Sequence, residues 1–279
     1  MPGVLLALWG AGAPRVGIFA DLYSYMADVA DASDRQVDTV HKISRRVVRR
    51  CLDSLDAVVV LTSAMDALIN RESKPSVVME GLVDVNQSAR AVSLANRHTH
   101  PTALYAGALR REYGVEDLVL GFRSIPDPQA RLEIYGQGDY AEEVRRHAAE
   151  DTRITFAGTV PVEVVLEAEE RAWVLVNPRP ANQEFTKYSF PSKNMEYLAS
   201  GTAVLTTPLP GMPPEYYPHV MLIDESSPAG VRGALERAFA LGRGELHRRG
   251  ERGKEFVLTS KTNTIWAGKL LALARRAGA

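Results

Sequence analysis

The sequence predicts an α/β protein with two domains, each built around a parallel sheet. Short apolar runs of buried-strand length alternate with amphipathic stretches of helical length along most of the chain. The length of 279 residues is enough for two ordinary domains. The clearest unit, a strand, loop, helix and strand, runs from Trp173 to Pro208. Its loop follows the carboxyl end of a strand, where a doubly wound sheet binds ligands.

Composition narrows the class of protein. The apolar share of 46% and the charged share of 24% are those of a soluble globular chain. The net charge of −1 argues against broad electrostatic binding of nucleic acid or membranes. The single Cys51 excludes an internal disulfide and a cysteine-rich metal site, and favours a reducing, cytoplasmic setting. We expect no spanning segment in residues 1–20, because prolines and glycines interrupt their apolar run and no basic leader precedes it.

The first part of the chain alternates strands and helices, which implies parallel strand pairing. The predicted elements are a strand within Val16–Met26, a helix at residues 34–55, and strands at Ala57–Leu61 and Val77–Met79. Thr62 or Ser63 can cap a short helix between the last two strands. Asp21 ends the first strand, so it is either a carboxylate in a cleft, with a catalytic role, or a helix cap. The polar residues 84–101 are interpreted as the connection between domains.

A second alternation follows the connection. The predicted strands are Ala103–Tyr105, Leu132–Tyr135, Ile154–Phe156, Trp173–Val176, Ala203–Thr206 and Val220–Ile223. The predicted helices are Val115–Phe122, Tyr140–Ala149, Val162–Ala172, Ser192–Ser200, Pro228–Leu241 and an amphipathic tail at Thr262–Ala274. The spacing of the tail places Trp266, Leu270, Leu271 and Leu273 on one apolar side.

Glycines end three successive strands of this second part, at Gly107, at Gly136 with Gly138, and at Gly158. Each permits a positive φ or a close approach of backbone. Tight strand-to-helix turns explain any one of them, whereas three on one rim favour a ligand site. The pattern completes neither a Walker phosphate loop nor the GxGxxG fingerprint of dinucleotide-binding folds.

The loop and helix after Val176 carry the densest set of candidate binding groups. Ser189 or Ser192 can cap the helix, and the free N–H groups and positive dipole end at its start suit a phosphate. Lys193 adds a cation in the first turn. Glu196, one turn later, is placed to accept both hydroxyls of a ribose or is an exposed helical carboxylate. Arg179, in NPRP, is a further positive group on the same rim.

The segment YSFPSKNMEYLASG, followed by AVLTTPLPG, resembles the donor-binding segment of retaining glycosyltransferases of family four, which have the GT-B fold of two Rossmann-like domains. The family signature is Glu, seven residues, Glu. The second Glu is Glu196 here, and Tyr188 holds the first position, where the family has an acid that faces the donor sugar. The YSFPSK variant is similar to a subgroup associated with bacterial surface polysaccharides. The resemblance is strongest from Leu104 to Pro210.

The resemblance implies a donor-binding second domain. Its boundaries would be a partial amino-terminal, acceptor-side domain with linker at residues 1–99, the donor domain at 100–261 and a closing helix at 262–279. The first part of the family's amino-terminal domain, with its glycine-rich loop, has no counterpart in the sequence. The implied donor-binding residues are Gly107, Arg110, Gly136, Gly138, Thr159, Val160, Arg179, Tyr188, Ser189, Phe190, Ser192, Lys193 and Glu196.

Within that set, individual roles follow from the family pattern. The family holds the donor diphosphate with an Arg and a Lys at the positions of Ala108 and Tyr113 here. Arg110 is a candidate substitute, or else a solvated arginine at a helix start. Lys193 would neutralise the leaving diphosphate, and the turn at Thr159 and Val160 would meet the nucleobase through its backbone. Glu184 either supplies the missing acid or is a surface carboxylate.

The resemblance implies a retaining glycosyltransferase, with Lys193 and Asp21 as candidate catalytic residues. It would use a nucleotide diphosphate sugar of the UDP or GDP type as donor, a glycan or lipid-linked acceptor, no cofactor and no metal. Two alternatives stay open: a shortened binding module without turnover, and the chemistry of nucleotide-sugar epimerases. The sequence leaves room for peripheral membrane contact at the inner face and for self-association through an incomplete first domain.

Overall fold

The computed structural model describes residues 13–20, 48–83 and 92–278. The chain divides into two compact units, and neither is a single continuous stretch. The first unit comprises Met1–Gly81, Glu184–Phe190 and Asn263–Ala279, and the second comprises Leu82–Gln183 and Pro191–Thr262.

The described part of the first unit holds a parallel sheet of three strands in the order β1, β2, β3. The strands are β1 (Val16–Phe19), β2 (Ala57–Val60) and β3 (Ser76–Val78). Residues 48–53 are helical, and helix α1 (Ser63–Ile69) follows β2. Thr62 caps α1, because its side chain accepts a hydrogen bond from the Met65 N–H at 3.2 Å. This confirms one of the two caps expected there.

Strand β2 is buried on both faces of this sheet, since its alternate side chains enter two different apolar clusters. One cluster consists of Leu55, Val58, Val60 and Met65. The other consists of Ala57, Val59 and Leu273, with Val16 and Leu270 packed against it. A strand buried on both faces reads as a continuous apolar run, which is why AVVV was identifiable from the sequence.

The second unit contains a six-stranded sheet in the order β6, β5, β4, β7, β8, β9, and every described strand pair in it is parallel. The strands are β4 (Thr102–Ala106), β5 (Arg131–Tyr135), β6 (Ile154–Gly158), β7 (Val174–Asn177), β8 (Ala203–Thr206) and β9 (Met221–Leu222). Chain order runs outward from β4 to β6, and then outward on the other side from β7 to β9. The topology therefore has a switch point between β4 and β7.

Four helices connect β4 through β8 in chain order, as parallel pairing requires, and two more helices of this unit follow β9. They are α2 (Val115–Arg123), α3 (Ala141–Glu150), α4 (Val162–Arg171), α5 (Ser192–Ser200), α6 (Pro228–Ala240) and α7 (Gly242–Ser260). Helix α2 packs against α6, and α5 packs against α7. Among the described residues, an apolar core that includes Leu118, Phe122, Leu132 and Leu235 packs between the first of these helix pairs and the sheet. Helix α8 (Asn263–Ala277) belongs to the first unit.

Two details differ from the sequence-based prediction. Helix α7 was not predicted, because its glycines and charges obscure the helical period. Gly250 is required by close packing, since a Cβ there would lie 2.2 Å from the Gly201 carbonyl oxygen. In α8, Leu271 was expected on the apolar side but is 62% exposed, whereas Trp266 and Leu273 are buried as expected. No helix in the described parts of the chain is both long and apolar enough to cross a membrane.

Candidate functional site

The switch point between β4 and β7 defines a crevice at the carboxyl ends of the strands. Three segments of the second unit converge on it. They are the turn after β4 that begins at Gly107, the segment after β7 that contains Arg179, and the start of helix α5. Since α5 connects β7 to β8, its amino terminus lies at this edge of the sheet. The topology alone thus brings most of the predicted binding residues together.

Tyr197 holds α5 against the end of β4. Its hydroxyl accepts from the Ala106 N–H at 2.9 Å and donates to the Ala106 carbonyl oxygen at 3.1 Å. The side chain is fully buried, and burial raises the pKa of its phenol well above the ordinary value. Tyr197 is therefore a neutral, doubly hydrogen-bonded link between the helix and the strand that precedes Gly107.

A second buried link joins α5 to the end of β7. The Asn177 side-chain amide donates to Asn194 Oδ1 at 2.7 Å, and both side chains are buried. Gly201 ends the helix in the left-handed conformation with φ 77°, as the sequence predicted. The contacts of Asn194 and Tyr197, together with the end of the helix at Gly201, fix the position of α5, so its first turn lies at a defined place beside the crevice.

The first turn of α5 contains an ion pair. Lys193 Nζ lies 2.8 Å from Glu196 Oε1, and each side chain is about one-third exposed, at 34% and 35%. The two groups predicted to meet phosphate and ribose are therefore adjacent and accessible. The predicted caps are wrong, since Pro191 is the N-cap, no side chain caps the helix, and Ser192 is its first residue. The backbone N–H groups of the first turn thus carry no side-chain cap.

The glycine turns after β4 and β5 are joined to each other. The Leu109 N–H donates to the Gln137 carbonyl oxygen at 2.8 Å, and a Cβ on Gly136 (φ 126°) would lie 1.8 Å from the Gly107 carbonyl oxygen. A Cβ on Gly138 would likewise lie 2.2 Å from the carbonyl oxygen of Leu109. Close backbone packing therefore accounts for Gly136 and Gly138 without a ligand.

Gly158, at the end of β6, differs from these. It has a positive φ of 66°, and a Cβ built on it would meet nothing within 4 Å. Thr159 is exposed and Val160 half-buried. The turn at 158–160 is therefore open to solvent, as a backbone contact to a ligand requires.

The three arginines near the crevice have different surroundings. Arg110 is 55% exposed and pairs with Glu112 at 3.2 Å, while Arg111 pairs with Glu116 and Glu143. Arg179 is half-buried, and its guanidinium lies 4.3 Å from the centroid of the Tyr113 ring. The Tyr113 ring thus restricts the position of the Arg179 guanidinium, whereas Arg110 and Arg111 are more exposed and pair with carboxylates.

Three predicted binding residues, Tyr188, Ser189 and Phe190, belong to the first unit rather than the second. Tyr188 packs against the cluster of Val58, Val60 and Met65, and the Ser189 hydroxyl donates to the Phe185 carbonyl oxygen at 3.1 Å. Asp21, the other catalytic candidate, lies outside the described residues.

Sequence reasoning missed one acidic side chain behind the site. Glu169 on α4 is fully buried, and neither of its carboxylate oxygens has a hydrogen-bond partner in the described part of the chain. Glu169 lies in the charged run EAEER, which predicts a solvent-exposed face of the helix. Val165 precedes Glu169 by four residues and Ala172 follows it by three, so all three lie on the same, inner side of the helix. This signal was available in the sequence.

The neighbouring histidines make local contacts. His98 Nε2 lies 3.3 Å from Glu133 Oε1, and its ring packs against His100 with centroids 5.1 Å apart. Within the described ranges, no group of three or more His, Cys, Asp or Glu side chains is placed to hold a metal ion.

Comparison with known families gives one match. Residues 100–240, just over half of the chain, match the family described as Glycosyl transferases group 1 and include all six strands of the second unit's sheet. A comparison with curated protein sequences found no match.

Several solved structures are similar in fold. Sucrose-phosphate synthase from Thermosynechococcus elongatus is 19% identical with a TM-score of 0.65, over 94% of this chain and 67% of that one. A mutant of S. aureus TarM, in complex with Fondaparinux, alpha-GlcNAc-glycerol and UDP, is 13% identical with a TM-score of 0.67. The match covers 98% of this chain and 54% of the TarM chain. Anabaena HepE in complex with UDP is 12% identical with a TM-score of 0.67, and the match covers 96% of this chain and 75% of the HepE chain. The chain thus spans about half of the TarM chain. At these identities the likeness shows the fold, which is the GT-B class with a Rossmann-like sheet in each unit.

Proposed function

Because the chain belongs to the group 1 family of glycosyl transferases, we propose that it transfers a sugar from a nucleoside diphosphate donor to a hydroxyl acceptor with retention of the anomeric configuration. We place it with the family-four enzymes of polysaccharide or glycoconjugate synthesis, on the resemblance of YSFPSKNMEYLASG. The acceptor would be a glycan or a lipid-linked sugar, and the donor would bind to the second unit.

One observation carries the proposal. The first turn of α5 lies at the switch point of the sheet and presents uncapped backbone N–H groups, the Lys193 ammonium and the Glu196 carboxylate together. A helix amino terminus with a cation is suited to a diphosphate. A carboxylate one turn further on is suited to the two hydroxyls of a ribose. A nucleoside diphosphate offers both groups at about this separation.

The same arrangement supports departure of the leaving group. As the bond between the sugar and the diphosphate breaks, negative charge grows on the diphosphate oxygens, and preorganised donors stabilise that charge. Lys193 and the N–H groups near Ser192 are the groups in place to do this. When the donor enters, the ribose hydroxyls replace part of the contact that Lys193 makes with Glu196, which frees the ammonium for phosphate.

UDP is the proposed nucleotide. The TarM and HepE structures were solved with UDP, and their fold is shared by this chain. The open turn at Gly158 and the exposed Thr159 give a base access to backbone groups. Arg179, supported by Tyr113, is the proposed second contact to the donor.

The experiment is a donor screen followed by product analysis. UDP-sugars and GDP-sugars would be incubated with the protein and with glycan or lipid-linked acceptors, and release of the nucleotide would be measured with and without each acceptor. Proton NMR of the anomeric centre of the product then gives its configuration. We expect acceptor-dependent release of UDP and a product that keeps the α or β configuration of the donor; inversion would contradict the retaining mechanism.

A non-catalytic binding module is the second candidate, and Tyr188 favours it. That residue stands where the resembling enzymes have an acid, and it packs among apolar side chains of the first unit. Such a module would bind UDP and release none from any donor, with or without acceptor. The same screen therefore separates the two candidates, because binding is measured by calorimetry and turnover by nucleotide release.

A further inference from the structure

The buried carboxyl of Glu169 lies behind the proposed ribose ligand. Helix α4, which carries it, packs against α5, and the Thr202 hydroxyl donates to the Glu169 carbonyl oxygen at 2.7 Å, which fixes the end of α4. The side chain has no exposed surface. Glu196 lies on the neighbouring helix α5, and its negative charge raises the pKa of the Glu169 carboxyl.

Two facing carboxylates cannot hydrogen-bond to each other, because both are acceptors only. This explains why neither Glu169 oxygen has a partner among the described residues when the group is ionised. A buried ionised carboxylate without a partner is costly, so such a group takes up a proton instead. A protonated Glu169 becomes a donor, and the facing Glu196 carboxylate becomes its acceptor. One proton thus removes both the buried charge and the missing hydrogen bond.

The charges around Glu169 support the proton being held there. Burial is the main cause that raises the pKa of Glu169 to about 8, followed by the negative charge of Glu196. Lys193 opposes the shift from α5, and Glu170 on the same helix adds to it. The Tyr197 phenol also faces this carboxyl and stays neutral. Arg97 and Lys254, from neighbouring elements, act on Glu170 instead.

We propose that Glu169 is a positioning residue for the donor site: it holds a proton and donates a hydrogen bond to the Glu196 carboxylate, which orients Glu196 toward the ribose of the donor. This inference rests on the donor site proposed above. The proton fixes the orientation of the Glu196 carboxylate, which is about one-third exposed, from its buried side. Lys193 contacts that carboxylate from the accessible side, at Oε1. When Glu169 loses its proton, the two carboxylates repel each other and Glu196 turns away from the donor.

Nucleotide binding at two pH values tests the proposal. UDP affinity would be measured by calorimetry at about pH 7 and about pH 9, on either side of the titration, for the wild type, Glu169→Gln and Glu167→Gln. The introduced glutamine amide keeps an N–H donor but cannot ionise, and Glu167 is an exposed control on the same helix. With a pKa of about 8 for Glu169, the protonated fraction falls about tenfold over this range. We therefore expect the wild type and Glu167→Gln to lose about tenfold more affinity than Glu169→Gln.

Titration of the base or of the phosphates affects all three proteins alike, so only the difference between them reports on Glu169. Equal pH profiles for the wild type and Glu169→Gln would overturn the proposal. A loss of affinity in Glu169→Ala that Gln restores supports it, since a donor at this position is then what matters.

A second measurement does not need a nucleotide. In protein with ¹³C-labelled glutamate carboxyls, Glu169→Gln identifies the Glu169 resonance. We expect that resonance to be that of a protonated carboxyl at pH 7, and we expect Glu196→Gln to lower its pKa by removing the facing charge. A Glu169 that is ionised at pH 7 overturns the proposal whatever UDP does. If Glu169 is protonated but the protein binds no UDP, the proposed contact between the two carboxyl groups is supported and the proposed donor is refuted.

Discussion

Tyr197 and Ala106 are joined by two hydrogen bonds through one hydroxyl, at 2.9 Å and 3.1 Å. The contact links the second turn of α5 to the last residue of β4, directly before Gly107. The helix that carries Lys193 and Glu196 is therefore attached to one side of the switch point by a side chain, and to β7 and β8 by the chain itself. The position of the candidate site depends on this attachment as much as on the residues that would touch a ligand.

Replacing Tyr197 with Phe removes both hydrogen bonds and keeps the ring. Since the hydroxyl is buried, we expect a loss of about 1–3 kcal/mol in stability and a several-fold weaker affinity for UDP, because the start of α5 is less firmly held. Thermal unfolding and calorimetry measure the two effects. Tyr217→Phe is the control, since Tyr217 is 37% exposed. A Tyr197→Phe protein as stable as the control would show that the attachment contributes nothing.

The order of strands and helices could be predicted because the second unit obeys local rules. Each buried strand is a short apolar run, and α5 ends at a glycine with positive φ where the sequence placed it. The match of residues 100–240 to one family confirms the glycosyltransferase interpretation. The assignment of individual residues to the donor stays a prediction.

Features that depend on tertiary packing could not be predicted. Helix α7 contains Gly250 and Gly253, which disfavour a helix locally but let it approach Gly201 and Leu198 closely. The capping serines were wrong because Pro191, not a serine, precedes the first helical residue. The packing of the Tyr188 ring in the first unit was not predicted, and its role in binding the donor stays a prediction. For the glycines and for Tyr188, the deciding neighbour is distant in sequence.

Glu196→Ala should weaken UDP binding by about 1–3 kcal/mol, the range for losing hydrogen bonds to a charged acceptor. The carboxylate is one-third exposed and its nearest cation is Lys193, so the variant should keep its fold. Calorimetry with UDP measures the change. Glu236→Ala removes a similar helical ion pair, with Arg232 at 2.9 Å, and serves as the control. Equal affinities for Glu196→Ala and this control would remove Glu196 from the site.

Lys193→Ala should lower the affinity for UDP much more than the affinity for uridine, because its ammonium acts on the diphosphate. The ratio of the two affinities in the wild type and the variant gives the effect directly. Arg232→Ala, which removes the basic partner of the control ion pair, should leave that ratio unchanged. If uridine binding suffers as much as UDP binding, Lys193 acts through the structure of α5 rather than on phosphate.

Gly158 and Gly242 form a matched pair for testing the turn after β6. Both have a positive φ, 66° and 77°, and a Cβ on either meets nothing within 4 Å. Asn tolerates this backbone conformation, so Gly158→Asn and Gly242→Asn should cost similar amounts of stability, about 1 kcal/mol or less. Only Gly158→Asn should weaken UDP binding, because its side chain occupies the space proposed for the base. Equal UDP affinities for both variants would place the base elsewhere.

Glu169 should make the second unit less stable as the pH rises. Its pKa is raised from an ordinary value of 4.5 to about 8 by burial and by Glu196, so the folded protein holds a proton that the unfolded chain releases. The contribution of this group is therefore fully present below about pH 4.5, declines between that value and pH 8, and is constant above pH 8. Over this range the loss amounts to a few kcal/mol.

Glu169→Gln cannot ionise, so its thermal midpoint should exceed that of the wild type by a margin that grows from pH 5 to pH 8 and then stays level. Glu167→Gln, on the exposed side of α4, should follow the wild type throughout. A constant difference between Glu169→Gln and the wild type across this range would mean that Glu169 is already ionised in the folded protein, and that a cation not yet identified compensates its buried charge.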